Sequence, residues 1–388
     1  MFAMSHAPVY LDYHATTPVD PRVLEAMLPY FTAVFGNPAS ASHAWGWKAQ
    51  EAVESARKDV ANLIGASARE VIFTSGATES NNMAIRGLAE TAPAGRRHVV
   101  VSAIEHKSVL ESAARLQTSG WRVTIVDVGR DGLVDLDALA REIGDDTRLV
   151  SVMAANNEIG VVQPLAEIAR LAHARGALVH ADAAQAVGKI PIDVKALGVD
   201  LLSLTAHKMY GPKGSGALFI RKTTEVEPLI MGGGHERGLR SGTLNVPGIV
   251  GLGRACAIAA AEMADEAKRL CALRDHLLKG LIAGTDGVSV NGSLRDRLPN
   301  NLHVNFEGVD GESLLVGIGD IAVSSGSACS SASATPSHVL RAICHGGPVP
   351  SATIRFGLGR WTTEDEIDYT IQKFTTVVNH LRKTAPVR

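Results

Sequence analysis

Seven short apolar runs alternate with helical stretches between residues 71 and 220, and this alternation restricts the fold more than any other feature of the sequence. The runs are Val71–Thr74, His98–Ser102, Val123–Val126, Leu149–Ala154, Leu178–Ala181, Leu201–Leu204 and Ala217–Ile220. Strands that alternate with helices in this way form mostly parallel sheets covered by helices on both faces. We therefore predict an α/β fold with a doubly wound, mostly parallel seven-stranded sheet.

The last third of the chain predicts a second, smaller α/β domain. A long Ala-rich helical stretch, Pro247–Ala283, bridges the two parts. After it come a strand region, a short helix and a final helix, at Val288–Phe306, near Gly311–Val316 and from Thr363. A chain of 388 residues is long for one domain and sufficient for two. We place the large domain at residues 13–260 and the small one at residues 261–388 together with residues 1–12.

The composition excludes several classes of function. Hydrophobic residues make up 46% of the chain and charged residues 20%, which is ordinary for a globular protein with a large core. The net charge of −2 provides no basic surface, so we expect no nucleic-acid partner. No run of about 18 apolar residues and no secretory signal is found, so we expect no membrane span. Four cysteines without a Cys-x-x-Cys pair predict no disulfide framework, no resident metal and a cytoplasmic location.

An acid and a lysine follow two successive predicted strands. Asp182 ends one run, and Lys208 follows the next after a short turn. A right-handed crossover between parallel strands would bring both side chains to one carboxyl edge of the sheet. A partly desolvated lysine forms a Schiff base with an aldehyde, and a carboxylate keeps a pyridine nitrogen protonated. Pyridoxal phosphate needs both groups, although a surface lysine and a strand-end aspartate in an ordinary α/β domain would give the same pattern.

A turn rich in hydroxyl groups follows the first of these strands. In the segment Phe73–Asn81, Gly76 allows close approach, and the start of a helix leaves free N–H groups beside Ser75 and Thr78. These groups make an anion site, while a simple helix cap is the alternative. Thr205 and His207, beside the lysine, can donate to the same phosphate.

Three further polar residues belong to the same predicted sheet edge. His106 follows a strand, and its flat ring can stack on a cofactor and pass protons, although a lone histidine is more often structural. Asn157 follows another strand and offers an amide group. Gln185, three residues after Asp182, can reach the phenolic oxygen of a pyridoxal ring.

Cys329 lies in the most unusual loop, Ser324–Ala334, among small polar residues. A cysteine there has little to pack against, whereas serine or glycine would be commoner in a simple turn. Reactive cysteines are exposed, so this pattern favours a nucleophile on a mobile loop. Cys256 and Cys271 fall in a helical pattern, and Cys344 follows a helical segment at Val339–Ile343, so we expect all three to be dispensable.

Arg355 lies on a short predicted strand in the small domain. Its guanidinium can hold a substrate carboxylate through two parallel hydrogen bonds. A surface salt bridge is the alternative for an arginine at this position.

Eight segments in order along the chain resemble one known family. They are Leu11–Pro18, Thr74–Ser80, Glu105–Lys107, Asn156–Gly160, His180–Gln185, His207–Lys208, Gly232–Thr243 and Ser324–Cys329. The family is the group I cysteine desulfurases, pyridoxal-phosphate enzymes of the aminotransferase class V superfamily with a type I fold. The resemblance extends from about Val9 to the end of the chain.

The resemblance implies a role for each matching position around the cofactor. Lys208 would form the Schiff base, Asp182 would face the pyridinium nitrogen, and Gln185 would bond the ring oxygen. His106 would stack on the ring and take part in catalysis. The phosphate would be held by Ala77, Thr78, Thr205, His207 and, from the partner subunit of a homodimer, Thr243.

The same resemblance implies how substrate and sulfur are handled. Asn157, which also touches the cofactor, and Arg355 would take the substrate carboxylate. Cys329 would accept the sulfur, and a transient iron–sulfur contact through Cys329 stays open. Two departures stand out: Thr205-Ala206 replaces a common Ser-Gly, and the chain stops at Arg388, where many members continue into a tail that docks an iron–sulfur scaffold protein.

We therefore predict a homodimeric enzyme that converts L-cysteine to L-alanine. It would pass the sulfur as a persulfide on Cys329 to acceptors such as iron–sulfur cluster assembly or tRNA thiolation proteins. An iron–sulfur scaffold protein stays a possible partner, although the usual docking tail is absent from this sequence. A selenocysteine lyase or an aminotransferase on the same fold is the alternative enzyme. A thiol-bearing carrier protein without a chromophore is the alternative outside enzymes.

Overall fold

The computed structural model describes residues 8–325 and 337–384. Its strands are β1 (Val9–Tyr10), β2 (Val71–Thr74), β3 (His98–Ser102), β4 (Arg122–Val126), β5 (Thr147–Ser151), β6 (Leu178–Asp182), β7 (Leu201–Thr205), β8 (Gly216–Ile220), β9 (Val288–Val290), β10 (Asn301–Phe306), β11 (Ile321–Ala322), β12 (Ser324–Ser325) and β13 (Thr353–Gly357). Its helices are α1 (Pro21–Met27), α2 (Pro29–Thr32), α3 (Ala44–Leu63), α4 (Ala77–Asn82), α5 (Leu88–Glu90), α6 (Lys107–Gln117), α7 (Leu136–Glu142), α8 (Leu165–His173), α9 (Val194–Leu197), α10 (Val246–Gly284), α11 (Gly311–Gly317), α12 (His338–Cys344) and α13 (Glu364–Thr384).

The central sheet has seven strands in the order β2-β8-β7-β6-β5-β3-β4. Only β8 runs antiparallel, to both of its neighbours. This confirms the predicted mostly parallel, seven-stranded sheet. The largest difference is at β5, which ends at Ser151 instead of Ala154. It ends there because the amide of Met153 donates to the Glu105 side chain (2.7 Å).

Helices cover both faces of this sheet, and β3 shows why. In its run of β-branched residues, Val99 and Val101 pack in one apolar cluster with Val109 of α6, while Val100 packs in another with Val150 and Val179. Successive side chains of a strand point to opposite faces, so a strand buried on both faces needs a continuous apolar run. Each such valine contributes about 1.5–3 kcal/mol when fully buried.

The long helix α10 joins the two parts of the molecule. It begins with the side chain of Asn245 accepting from the amide of Gly248, and proline stands in its first turn, as at many helix starts. Its first half packs Cys256 into the core of the large sheet. Its second half packs Leu277 and Leu281 against the smaller sheet. By length and composition α10 is long and apolar enough to cross a membrane, but 56% of that apolar window is buried inside the protein, as in core helices.

The smaller sheet is antiparallel and has the strand order β12-β13-β10-β9. Phe374 of α13 packs on it, with ring centroids 5.5 Å from Phe306 and 5.0 Å from Phe356. The N-terminal strand β1 pairs in parallel with β11, next to this unit. A second, smaller α/β unit is therefore present, while the boundaries 13–260 and 261–388 stay predictions.

Candidate active site

A cavity of about 640 Å³ opens at the carboxyl edge of the large sheet. The parallel neighbours β6 and β7 bring Asp182 and Lys208 to it, as the crossover argument predicts. The predicted site residues that line it are Ala77, Thr78, His106, Asn157, Asp182, Gln185, Thr205, His207, Lys208 and Arg355. Thr243 is exposed and does not line the cavity of its own chain.

Lys208 ends a short 3-10 turn, Ala206–Lys208, that follows β7 directly. Its Nζ donates to the backbone oxygens of His14 (2.5 Å) and Ala15 (2.7 Å). The N-terminal segment therefore forms one wall of the cavity. Sequence reasoning missed this contact, because the residues lie nearly 200 positions apart in the chain.

Asp182 is 4% exposed, and both of its carboxylate oxygens accept hydrogen bonds. Oδ1 accepts from the amide of Ala184 (2.9 Å), and Oδ2 accepts from Nδ2 of Asn81 (2.7 Å). Asn81 also donates to the hydroxyl of Ser108 (2.9 Å). Asn81 was missed, although its spacing from Thr78 on one helix face was the available signal.

His106 caps α6, and its Nδ1 accepts from the amide of Ser108 (3.2 Å). The lone pair is therefore on Nδ1, and the proton of the neutral ring is assigned to Nε2. Burial lowers the pKa of His106, while the nearby Asp182 acts in the opposite direction. Because the pKa lies below its ordinary value of 6.5, the ring is neutral at pH 7.

The turn between β2 and α4 forms one end of the cavity. Gly76 has a φ of 151°, a conformation that residues with a side chain rarely adopt. No side chain caps α4, and the helix continues through a π-helical segment, Met83–Gly87. A Cβ on Gly216 would lie only 2.6 Å from the Cα of Gly76, so β8 passes close behind the turn. The helix start thus presents amide donors to the cavity.

His207 and Thr205 lie beside this turn. Burial, followed by the charges of Lys208 and Lys213, lowers the pKa of His207 to about 4. Its Nδ1 lies 3.1 Å from the hydroxyl of Thr16. His207 is therefore a neutral hydrogen-bonding group, and the cations at this end are Lys208 and Lys213.

Gln185 and His14 hold each other on one side of the cavity. Oε1 of Gln185 lies 3.0 Å from Nδ1 of His14, and Nε2 of Gln185 donates to the backbone oxygen of His14 (3.0 Å). Because Oε1 only accepts, Nδ1 of His14 is the donor. Burial lowers the pKa of His14 to about 3, so this ring is neutral as well.

Arg355, on β13, approaches the cavity from the smaller unit. Its Nη1 donates to the backbone oxygen of Asn157 (2.9 Å), and its Nη2 donates to Asp12 Oδ1 (2.7 Å). The predicted pair Asn157 and Arg355 is thus in direct contact. The surface salt bridge is not what the structure shows, since the Arg355 side chain is only 6% exposed.

Glu105 is a buried acid behind the cavity that sequence reasoning did not single out. Its Oε1 accepts from the hydroxyl of Ser102 (2.7 Å) and from the amide of Met153 (2.7 Å). Burial raises the pKa of Glu105 to about 8, so it is mostly protonated at pH 7.

Cys329, with its predicted sulfur-accepting and iron–sulfur roles, lies outside the described residues. On one side of residues 326–336, Ser324 lines the cavity. On the other, the hydroxyl of Ser337 donates to Glu158 Oε2 (2.5 Å), and His338 Nε2 donates to the backbone oxygen of Glu105 (2.9 Å). One flank therefore lines the cavity, and the other is held by the chain neighbours of Asn157 and His106, which line it.

The three described cysteines lie on helices. Cys256 is fully buried in α10, where burial raises the pKa of its thiol, and Cys271 is half-buried in the same helix. Cys344 is the last residue of α12, so the expectation that it follows the helix is wrong by one residue. Helix α12 continues through Cys344 and ends where His345 adopts a left-handed conformation.

The cavity combines the three groups that pyridoxal phosphate requires. A helix start with amide and hydroxyl donors fits a phosphate, a buried carboxylate with both oxygens fixed fits a pyridinium nitrogen, and a lysine that lines the same cavity fits an aldehyde. Ala77 and Thr78 at this helix start line the cavity, and no side chain caps α4. The residues present therefore fit this cofactor.

Comparison with known proteins agrees with this geometry. Residues 9–370 match the family model described as aminotransferase class-V. The chain is 56% identical over 382 residues to cysteine desulfurase IscS of Anaeromyxobacter sp. (strain K), covering 98% of this chain and 95% of that protein.

Solved structures are similar as well. A structure named NifS-like protein has a TM-score of 0.90 at 42% identity and covers 96% of this chain and 100% of its own. SspA in complex with cysteine has a TM-score of 0.79 at 38% identity and covers 92% and 100%. The chain therefore belongs to the aminotransferase class-V family, within its pyridoxal-phosphate-dependent cysteine desulfurases.

Proposed function

We propose that this protein takes the sulfur from L-cysteine, leaves L-alanine, and passes the sulfur on as a persulfide of Cys329. The observation that carries the proposal is the joint placement of Lys208, Asp182 and the β2–α4 turn around one cavity. The relatives named cysteine desulfurase support the choice of reaction, and the SspA structure with cysteine supports the choice of substrate.

The cofactor would be held at three places. Lys208 binds its aldehyde, Asp182 its ring nitrogen, and the turn at Ala77 and Thr78 its phosphate, with Thr205 and His207 beside it. When bound, pyridoxal phosphate withdraws electrons from the substrate Cα and so makes its proton acidic. Asn81 and the amide of Ala184 keep the Asp182 carboxylate in one orientation.

Lys208 and His106 would carry the protons. Once the substrate amine has displaced it from the aldehyde, the freed Lys208 amine would take the Cα proton, and the backbone oxygens of His14 and Ala15 would accept hydrogen bonds from its protonated form. His106 stacks as a neutral ring and can give a proton from Nε2, because Ser108 occupies its Nδ1. Gln185, held by His14, would bond the ring oxygen of the cofactor.

Substrate and sulfur would be handled at the opposite wall. Arg355 and Asn157 bind the substrate carboxylate. The Cys329 thiolate would attack the substrate sulfur, so that an S–S bond forms while the substrate Cβ–S bond breaks and its electron pair stays with Cβ. Protonation at Cβ and at Cα then releases the three-carbon fragment as L-alanine. The flanks of Cys329 at Ser324 and His338 support its access to this wall.

We also propose a homodimer. Four apolar residues spaced three or four positions apart, from α1 to the segment after α2, are 48–64% exposed: Leu24, Leu28, Phe31 and Phe35. Trp45, whose ring lies 5.0 Å from that of Phe35, extends this exposed apolar face. A second copy would cover it, and the exposed Thr243 would then be free to reach the partner's phosphate. Analytical ultracentrifugation should give twice the chain mass, and a monomer at micromolar concentration would reject the proposal.

The reaction is tested by the products that the purified protein forms from L-cysteine. With a reductant present, alanine and sulfide should appear in equal amounts without any added α-keto acid. Formation of alanine only with a keto acid would identify an aminotransferase instead. The identity of the sulfur acceptors and a cytoplasmic location remain predictions.

The cofactor site is tested by borohydride reduction followed by peptide mapping. The pyridoxyl label should be found on Lys208, because the turn after β7 brings this lysine to the cavity that Asp182 also lines. A label on Lys213, which lines the same cavity, would contradict the assignment.

A further inference from the structure

Arg355 already has hydrogen-bond partners on both of its terminal nitrogens. Nη1 donates to the backbone oxygen of Asn157 (2.9 Å). Nη2 donates to Asp12 Oδ1 (2.7 Å) and to the hydroxyl of Ser324 (2.9 Å). The Ser324 hydroxyl in turn donates to the same Asp12 oxygen (2.9 Å). Nε is buried and has no partner among the described residues.

The number of N–H groups on Arg355 limits how a substrate carboxylate can bind. A guanidinium offers five N–H donors in a fixed plane, and a carboxylate bound through two parallel bonds uses either Nη1 with Nη2 or Nε with Nη2. Both arrangements need a proton of Nη2, and both Nη2 protons are engaged. A two-bonded carboxylate therefore requires Asp12 or Ser324 to release Nη2.

Asp12 can release Nη2 of Arg355 more easily than Ser324 can. The Asp12 side chain is 18% exposed and lines the cavity. Ser324 is 7% exposed and is fixed opposite Arg355 in the β12–β13 ladder. Replacing one carboxylate by another also keeps a nearly buried guanidinium neutralised throughout, whereas an unpaired charge there would be costly.

We infer that Asp12 is the counter-ion of Arg355 before substrate arrives, and that the substrate carboxylate binds by exchanging with it. Asp12 is then an affinity-setting residue: it pairs with Arg355 and orients it, but it competes with every carboxylate that enters. This inference rests on the proposed function, in which Arg355 binds the substrate carboxylate.

The test uses the holoenzyme and the variant Asp12→Asn. Asparagine keeps the shape and an oxygen for Ser324 but lacks the competing charge. The KM for L-cysteine should fall about tenfold, with kcat within about twofold of wild type, since exchange of one charge-assisted contact is of this order. Calorimetry with propionate, a bare carboxylate, should show a similar gain in affinity. Asp12→Ser also lacks the charge, so it too should lower the KM for L-cysteine and raise the affinity for propionate.

Two controls separate this effect from general changes. Asp320→Asn removes a carboxylate that is paired with Lys373 (3.2 Å) outside the cavity, and it should leave KM unchanged. Cysteamine has the amine and thiol of cysteine but no carboxylate, so its binding should be the same in Asp12→Asn and wild type.

An unchanged or raised KM in Asp12→Asn, or weaker propionate binding, would overturn the inference. Equal tightening of cysteamine would overturn it too, because the effect would then not pass through a carboxylate. If wild type formed no alanine from L-cysteine, the proposed function would fail, while propionate affinity would still decide the exchange between carboxylates.

Discussion

At the scale of residues, the site depends on neutral groups that surround a few fixed charges. Burial keeps the rings of His14, His106 and His207 uncharged at pH 7. The carboxylate of Asp182 is instead stabilised by two donors, Asn81 and the amide of Ala184. Such a site can hold a proton at one defined atom, because few neighbouring groups compete for it.

Asn81→Ala tests the support of Asp182. A hydrogen bond to a charged group contributes about 1.5–3 kcal/mol, so kcat/KM should fall roughly 10- to 100-fold. The cofactor should stay bound, because the phosphate contacts remain, and its visible absorption band reports this. Asn82→Ala is the matched control: among the described residues the Asn82 side chain donates only to the backbone oxygen of Thr78 (2.9 Å), so this variant should change kcat/KM little. Equal activities of the two variants would reject a role for Asn81.

Glu105 should make stability dependent on pH. Its folded-state pKa of about 8 lies above the ordinary value of 4.5, so the unfolded chain releases the proton first as pH rises. The contribution of Glu105 to the free energy of unfolding is therefore greatest below about pH 4.5. It is lost as pH rises towards 8, by up to roughly 1 kcal/mol per pH unit. The glutamine in Glu105→Gln cannot ionise. The melting temperature of this variant should therefore rise relative to that of wild type as pH increases from 5 to 8. If the melting temperatures of the two proteins changed in parallel over this pH range, the raised pKa of Glu105 would be contradicted.

At the scale of elements, the junctions between strands and helices make the site. The turn at Gly76 combines a positive φ, which favours glycine, with the start of α4, and the turn after β7 brings Lys208 to the cavity. Sequence reasoning found both junctions, since runs of apolar residues and the polar groups after them are local features. It did not find the contact between Asp12 and Arg355, which are 343 positions apart and meet only when β1 and β13 pack together.

Gly76→Ala tests the junction at the phosphate end. A Cβ there would meet only the Thr205 hydroxyl, at 3.7 Å, so the cost is backbone strain at a φ of 151° and not a steric clash. Strain of about 1–3 kcal/mol should weaken cofactor binding roughly tenfold or more and lower the melting temperature. Gly95 has a φ of 84°, and a Cβ added there would meet no atom within 4 Å. Gly95→Ala should therefore lower stability without changing cofactor affinity. Cofactor affinity that falls equally in both variants would contradict a phosphate role for this turn.

At the scale of the whole molecule, the cavity is built by two packed units. The large sheet supplies Asp182 and Lys208, and the smaller unit supplies Arg355. The sheet was predictable because every strand carries its own apolar pattern, and the lysine–aspartate pair was predictable because parallel neighbours end at one edge. The packing of β1 on β11 and the anchoring of Ser337 by Glu158 were not, because they depend on contacts between distant segments.

The central claim is that Cys329 receives the sulfur of L-cysteine. The most direct measurement is mass spectrometry of the holoenzyme after brief exposure to L-cysteine without reductant, with peptide mapping. One added sulfur atom should be found on the Cys329 peptide, and Cys329→Ser should lose it, while Cys344→Ser should keep it. An adduct on the Cys344 peptide, or sulfide release by Cys329→Ser at the wild-type rate, would contradict this account.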